Sequence, residues 1–365
     1  MTIAETGVFY ALVSAAALLL CWRSEKTEKR WGLAASVLLL SLVAGLRAYS
    51  VGVDTMLYKN GVEYFYLHNE VSWQNSFAYG YGIFSKAVLS IWNNYSFLLF
   101  VQSLLTNGLI LARFWDYRKE GSITFMLLVY LCTTYLMTLC IMVQHIAVAI
   151  TFYFSRYLDR GKPVLYCVGV ALAGCLHVSA LVAIFPLATY LVKFKDVSLG
   201  RAFIQVIALT VLLGASLVVA NQLFVNYSGY NSAARQSSIG YMVFAQALIF
   251  AVILFVCGYG SRRDSNSAFD LKGRLDRGAP HATLLYVLSL LLSASSYVID
   301  NAGRISYYFS IYGAPCYGIV VKHANKSKGV FLCSFIAALW FIAFAIYTFY
   351  LHDGLGIFPY SFIWN

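Results

Sequence analysis

The residues with chemistry to offer are few, and they gather where apolar runs end. The stretch "LRAYSVGVDTMLYKN" (46–60) sets Arg47, Gly52, Asp54 and Tyr58 close together just as a long apolar run stops. His177 lies between two apolar runs in "ALAGCLHVSALVAIFPLATY". Arg304 follows Asp300 and Asn301 in "DNAGRISYYF", and Arg235 stands in "NYSGYNSAARQSSIG". Anion binding and proton transfer are the chemistry these types supply. A guanidinium holds phosphate oxygens with two parallel N–H donors and stays charged. An imidazole poised near neutrality takes a proton from a hydroxyl, and a carboxylate can serve as a second base. Each residue also has a structural reading. Arg47 and Arg304 are placed to snorkel to lipid phosphates. Asp54 is placed to cap a helix after a turn at Gly52, with Tyr58 one turn later on the same face. His177 is placed to hold a bend between two helices. Ionisable residues within membrane helices usually face a cavity or a partner, which favours function for His177.

The elements that position these residues follow from composition. Of 365 residues, 61% are hydrophobic and 11% charged, against about 25% charged in soluble proteins. Mean hydropathy is +0.72. Apolar runs of spanning length recur from end to end, too long and continuous for barrel strands, so the chain is an all-α polytopic membrane protein. The first run, 7–22, has no basic segment before it and no small-residue cleavage site, so it is expected to be retained. Spans are expected at 7–22, 31–46, 95–112, 122–140, 141–157, 164–176, 178–192, 202–222, 241–260, 282–298, 305–320 and 330–350, twelve in all. The run 79–92 is short and carries Lys86, so an amphipathic helix at the surface is expected there.

Charge supports that assignment. With the N-terminus outside, the loops 23–30, 113–119, 156–162, 193–201, 261–281 and 322–328 face the cytoplasm. They hold 21 of the 26 Lys and Arg, and Arg47, Lys59, Lys86, Arg235 and Arg304 lie outside. The positive-inside rule then gives both termini outside. The net charge of +11 faces the cytoplasmic leaflet, which argues against nucleic acid as a partner. A single integral membrane domain, 1–365, is expected, with outer loops at 47–94 and 223–240 and a polar cytoplasmic loop at 261–281. The eight Cys include no C-x-x-C pair, so buried free thiols are expected. No D-x-D or clustered metal motif is present, so no metal and no cofactor is expected.

The pattern Arg47-x4-Gly52-x-Asp54-x3-Tyr58 resembles the signature of EpsG-like, Wzy-type polysaccharide polymerases. "LAGCLHVSALVAIFPLATYLV" resembles the His-containing segment of that family, "NAGRISYYF" its late Arg segment, and "FPYSF" its C-terminal Pro-Tyr. Two positions depart from the pattern. Val143 precedes Gln144 where the family often has Arg, and Ala78 stands about where it often has Glu. His145, beside Gln144, is the residue at hand to compensate for the first.

The resemblance implies a glycosyltransferase of GT-C-like architecture in the bacterial inner membrane. It would move a glycan chain from undecaprenyl pyrophosphate to a sugar hydroxyl of the next lipid-linked repeat unit at the outer face. The partners implied are undecaprenyl-pyrophosphate-linked oligosaccharides and membrane lipid; a chain-length regulator is a further candidate that the sequence does not decide. On this reading Arg47, Arg304 and Arg235 bind pyrophosphate, and His177 is the base with Asp54 as second candidate. Tyr58, Gln144, His145 and Asp300 support them. The competing readings are an O-antigen ligase or other lipid-linked glycosyltransferase, and a flippase or transporter of lipid-linked sugars. A flippase needs a polar path through the midplane, whereas here charge gathers at the two faces.

Overall fold

The computed structural model describes residues 1–71, 78–191, 211, 239–256, 279, 281–296, 301–322 and 328–364. Among the described residues regular structure is helical, and the one pairing of extended backbone is an isolated bridge between Arg47 and Phe362. In chain order the helices are α1 (Ile3–Thr27), α2 (Trp31–Gly45), α3 (Thr55–His68), α4 (Tyr79–Ile91), α5 (Tyr95–Asp116), α6 (Ile123–Tyr130), α7 (Leu136–Thr138), α8 (Met142–Phe154), α9 (Arg156–Asp159), α10 (Pro163–Leu176), α11 (Phe185–Leu191), α12 (Ile239–Val256), α13 (Ala282–Ser295), α14 (Ala302–Ser310), α15 (Gly313–Lys322) and α16 (Lys328–Ala345).

Several expected spans are broken rather than continuous. Residues 122–140 form α6 and α7 joined by a π turn at Leu131–Tyr135. The run from 178 begins as a 3-10 helix, Val178–Ile184, before α11. Residues 305–320 divide between α14 and α15. Among the described residues, the stretch 47–94, expected as an outer loop, is mostly helical: α4 lies where an amphipathic helix was expected, and α3 begins directly after Asp54. The predicted span 202–222 lies, apart from residue 211, outside the described residues. Helices long and apolar enough to cross a membrane run over Ile3–Thr27, Tyr95–Lys119 and Gly329–Leu351. In the most apolar window of the first only 22% of residues are buried, against 56% in the second. A helix apolar on all faces yet so little covered by protein suits lipid as its neighbour.

The chain forms two compact units, one made of Met1–Arg118, Ser122–Leu181 and Ala338–Asn365, the other of Lys119–Gly121 and Val182–Ala337. In the first unit α2 packs along α5 and α1, α5 along α8, and α8 along α10, while α4 touches α3, α5 and α10. In the second, α13 packs on α12, α14 and α15. There Gln246 donates to the Tyr286 hydroxyl at 2.8 Å, and the rings of Phe250, Tyr286 and Tyr317 meet.

Of the eight Cys, seven are described and free, and Cys257 lies outside the described residues. Cys175 is exposed and Cys167 half-buried, against the expectation that all are buried. Cys175 continues the exposed apolar stripe Val164, Val168 and Leu172 along one face of α10. Its thiol serves as a small apolar group on an outward face rather than in a core.

The first unit shows how this chain satisfies a buried arginine. Arg113, near the end of α5, is 3% exposed. Its guanidinium donates to Asp116 at 3.3 Å, to Asp159, and through Nε to Ser155 at 3.2 Å. Arg156 closes the network by donating to Asp116 at 2.7 Å. Two arginines thus share two carboxylates, as a buried charge requires.

Candidate functional site

Arg47 sits just past the end of α2, and its place is set by residues far away in sequence. The C-terminal tail lies along it. Ala48 donates its N–H to Ser361 (2.7 Å), and Ile363 donates to Leu46 (2.9 Å). Gly52 donates to Gly356 (2.7 Å) and Val53 to Leu355 (2.9 Å). The tail is fixed in its own right. The Asp353 carboxylate accepts from the N–H groups of Leu355 and Phe358. Tyr360 donates its hydroxyl to Val43 at 2.8 Å and its N–H to the Thr6 hydroxyl at 2.9 Å. Rings of Phe9, Tyr10, Phe358, Tyr360 and Phe362 pack around these bonds.

Gly52 makes the loop possible. Its φ of +89° is disfavoured for residues with a side chain. A Cβ there would come within 2.8 Å of the Leu139 carbonyl and of the Thr55 hydroxyl. The turn is therefore pinched between the tail on one side and the α7–α8 junction on the other.

The Arg47 side chain is 1% exposed. Among the described residues it forms no ion pair, and its Nε has no hydrogen-bond partner. It lines a small pocket with Ala44, Leu99, Gln102, Ser103, Thr106, Thr138 and Met142. The enclosed part has room for about one water-sized atom, so a phosphoryl oxygen fits and a sugar ring does not. Polar groups of α5 face it at 102, 103 and 106, one side of the helix. The contrast with Arg113 is direct. One buried guanidinium has two carboxylates, and the other has neutral donors and a cavity. A buried cation without a counterion costs several kcal/mol, so an arrangement that keeps one is suited to an anion arriving from outside the protein.

Asp54 occupies the N-cap position of α3 as expected, but its side chain makes no capping bond. It forms no ion pair with Arg47 either, because tail bonds at Ala48, Gly52 and Val53 hold the intervening loop. Asp54 is half-buried and Tyr58 buried. Tyr58 belongs to an apolar cluster with Tyr81, Leu98, Met142 and Val143. Val143 is therefore an apolar core residue at the position where the resembling pattern has arginine. Gln144 and His145 are each 1% exposed within α8. A carbonyl only accepts, so the His145 contact with Ile141 O at 2.8 Å places its proton on Nδ1. Neither residue lines the Arg47 pocket.

His177 follows the last residue of α10 in extended conformation and is half-buried. Its Nδ1 lies 2.7 Å from the Ser179 hydroxyl. The corner that carries it is tied to the start of α4. Ala78 donates to Leu176 at 3.1 Å, and a Cβ on Gly80 would come within 2.4 Å of the Cys175 carbonyl. Arg304 is half-buried in the first turn of α14, in the other unit. Arg235 and Asp300 lie outside the described residues.

Gln102 and Ser179 were not singled out from sequence. Nothing distinguishes Gln102 from any polar residue in an apolar helix. The His-x-Ser spacing at 177–179 is short, and the 3-10 turn that begins at Val178 brings the Ser179 hydroxyl back to the imidazole.

No curated protein and no solved structure matches the chain. The profile of the EpsG family matches residues 31–362, from the start of α2 to the tail residue paired with Arg47. The chain is a member of the EpsG family, a membrane protein of polysaccharide biosynthesis.

Proposed function

We propose that this protein is a repeat-unit polymerase that joins lipid-linked oligosaccharides at the outer face of the bacterial inner membrane. The observation that carries the reading is the buried Arg47, held without a counterion among the described residues against a polar pocket. The glycosidic bond of the donor to undecaprenyl pyrophosphate breaks, and the pyrophosphate leaves with the electron pair. The acceptor hydroxyl oxygen forms the new bond, and its proton passes to His177. Pyrophosphate is a weak base, so its departure needs charge neutralisation more than a proton, and Arg47 supplies it, with Arg304 a second candidate for that task. Arg235 is a third candidate for the same task. When Nδ1–H of His177 donates to Ser179, Nε2 is left as the acceptor, the tautomer a base requires. Asp54 is the second candidate base, and Tyr58, Gln144, His145 and Asp300 are the candidates for supporting roles. No metal takes part, and a chain-length regulator is a candidate partner.

The test is reconstitution of the purified protein in liposomes with a lipid-linked repeat unit. Longer glycans should appear with one lipid pyrophosphate released per linkage. Passage of the substrate between leaflets without linkage would instead establish a flippase.

The proposal includes twelve spans in a GT-C-like arrangement with both termini outside, supported by the separation of 21 basic residues from five. Reporter fusions at residues 70 and 270 should report outside and inside respectively. The reverse pattern would overturn the topology.

A further inference from the structure

Gln102 lies in the third turn of α5, about 10 Å along the helix from its start. It is 3% exposed. Its Oε1 accepts from the Tyr81 hydroxyl at 2.8 Å, which fixes the amide, and its Nε2 has no partner. Gln102 and Arg47 line the same pocket. Two nitrogen donors, the Arg47 Nε and the Gln102 Nε2, are thus buried and without a partner among the described residues, on side chains that line one water-sized space. An unsatisfied buried donor costs about 1–3 kcal/mol, and two at one pocket call for one shared acceptor. Beside a guanidinium that acceptor is best an anionic oxygen, since charge-assisted bonds are the stronger ones. The hydroxyl-bearing residues Ser103, Thr106 and Thr138 complete the lining.

We infer that Gln102 is a phosphate-binding residue that, with Arg47, seats one oxygen of the pyrophosphate on a polyprenyl lipid. The inference rests on the reading of Arg47 as a phosphate ligand and adds a partner that carries no charge. A neutral amide suits the position. It donates to the anion without competing for the arginine, and its other end is held by Tyr81, whose ring meets Tyr58 edge-on. The Tyr58–Tyr81–Gln102 series thereby links Tyr58, in the first turns of α3, to the pocket.

The experiment measures binding of polyprenyl pyrophosphate to the full-length protein in nanodiscs, by the ligand-induced shift in melting temperature. Inorganic pyrophosphate and polyprenol serve as comparison probes. Polyprenyl pyrophosphate should stabilise the wild type, inorganic pyrophosphate should compete with it, and polyprenol should do neither. Gln102→Leu should weaken lipid pyrophosphate binding about 10- to 100-fold, the worth of one hydrogen bond to a charged group. Gln102→Glu is the sharper variant. It preserves the acceptor for Tyr81 but sets a carboxylate beside the guanidinium, in the place of the incoming oxygen. It should raise the melting temperature of the empty protein and abolish the ligand-induced shift.

If Gln102 only anchors Tyr81, Gln102→Glu will bind lipid pyrophosphate as the wild type does, and the inference is overturned while Arg47→Ala still loses binding. If Arg47→Ala binds normally as well, the phosphate reading of Arg47 falls with it. Stabilisation by inorganic pyrophosphate and none by the lipid would overturn the lipid as the source of the anion.

Discussion

Arg47→Ala is expected to abolish polymer formation while leaving the protein folded, membrane-bound and at least as heat-stable as the wild type. The stability half of this expectation runs against the usual sign. Truncating a buried side chain typically costs 2–5 kcal/mol. Here the group removed is a cation kept out of water with no ion-pair partner among the described residues, and its loss relieves a desolvation penalty of several kcal/mol. The loop keeps its course, because the bonds that hold it to Ser361, Gly356 and Leu355 are all backbone bonds. Activity should fall at least about 10²–10³-fold, the usual effect of removing one preorganised donor from a developing charge. Arg47→Lys should restore only part of it, since an ammonium lacks the planar fork. Arg113 is the internal control. Its removal strands Asp159 and leaves Asp116 to Arg156 alone, so Arg113→Ala should lower the melting temperature where Arg47→Ala does not. Assays of polymer and of melting temperature on the two variants decide the matter. Normal polymer from Arg47→Ala would make the guanidinium a structural group.

His177→Gln should lower turnover by about 10²–10⁴-fold, the range of a lost general base, with unpolymerised lipid-linked repeat accumulating in the membrane. Expression and melting temperature should not change. The side chain is half-buried, and its Nδ1 lies within hydrogen-bond distance of the Ser179 hydroxyl, two residues away. A glutamine amide reaches the same hydroxyl but takes no proton at neutral pH. The fixed corner between α10 and α4 depends on backbone at Leu176 and Ala78 rather than on the imidazole. Turnover measured at saturating lipid-linked substrate separates the roles: a base lost from the reaction lowers kcat, whereas a distorted corner would raise KM. Wild-type chain lengths from His177→Gln would remove it as the base and leave Asp54 as the candidate to vary next.

The parts of this architecture visible in sequence are those written in local contrast. Arg47 stood out because a charge ends an apolar run, and Gly52 because a glycine two residues before an aspartate marks a turn into a helix. Both assignments hold in the structure, down to the positive φ of Gly52. The break at Leu131–Tyr135 was missed because the run carries no charge, glycine or proline and hydropathy does not register a changed hydrogen-bond pattern, whereas the one between α14 and α15 had a local mark in Gly313 and Pro315 that the apolar run overrode. Gln102 was hidden for the reason given above: its importance lies in what it faces, and facing is a property of packing. The tail was hidden by distance. "FPYSF" was noticeable as a motif, but nothing local says that Ser361 meets Ala48 across the length of the chain.

That distance bears on the order in which the protein is made. Leu46 to Val53 emerge from the ribosome early, and their partners, Leu355 to Ile363, emerge only after the last described helix. Until then the Arg47 loop lacks the hydrogen bonds that set its course, and Tyr360 is not yet in place against Val43. The anion pocket therefore forms late in synthesis, once every described helix has been made. On the proposed function, a chain arrested partway through insertion would lack the grip on lipid pyrophosphate, so incomplete copies would not sequester a carrier lipid.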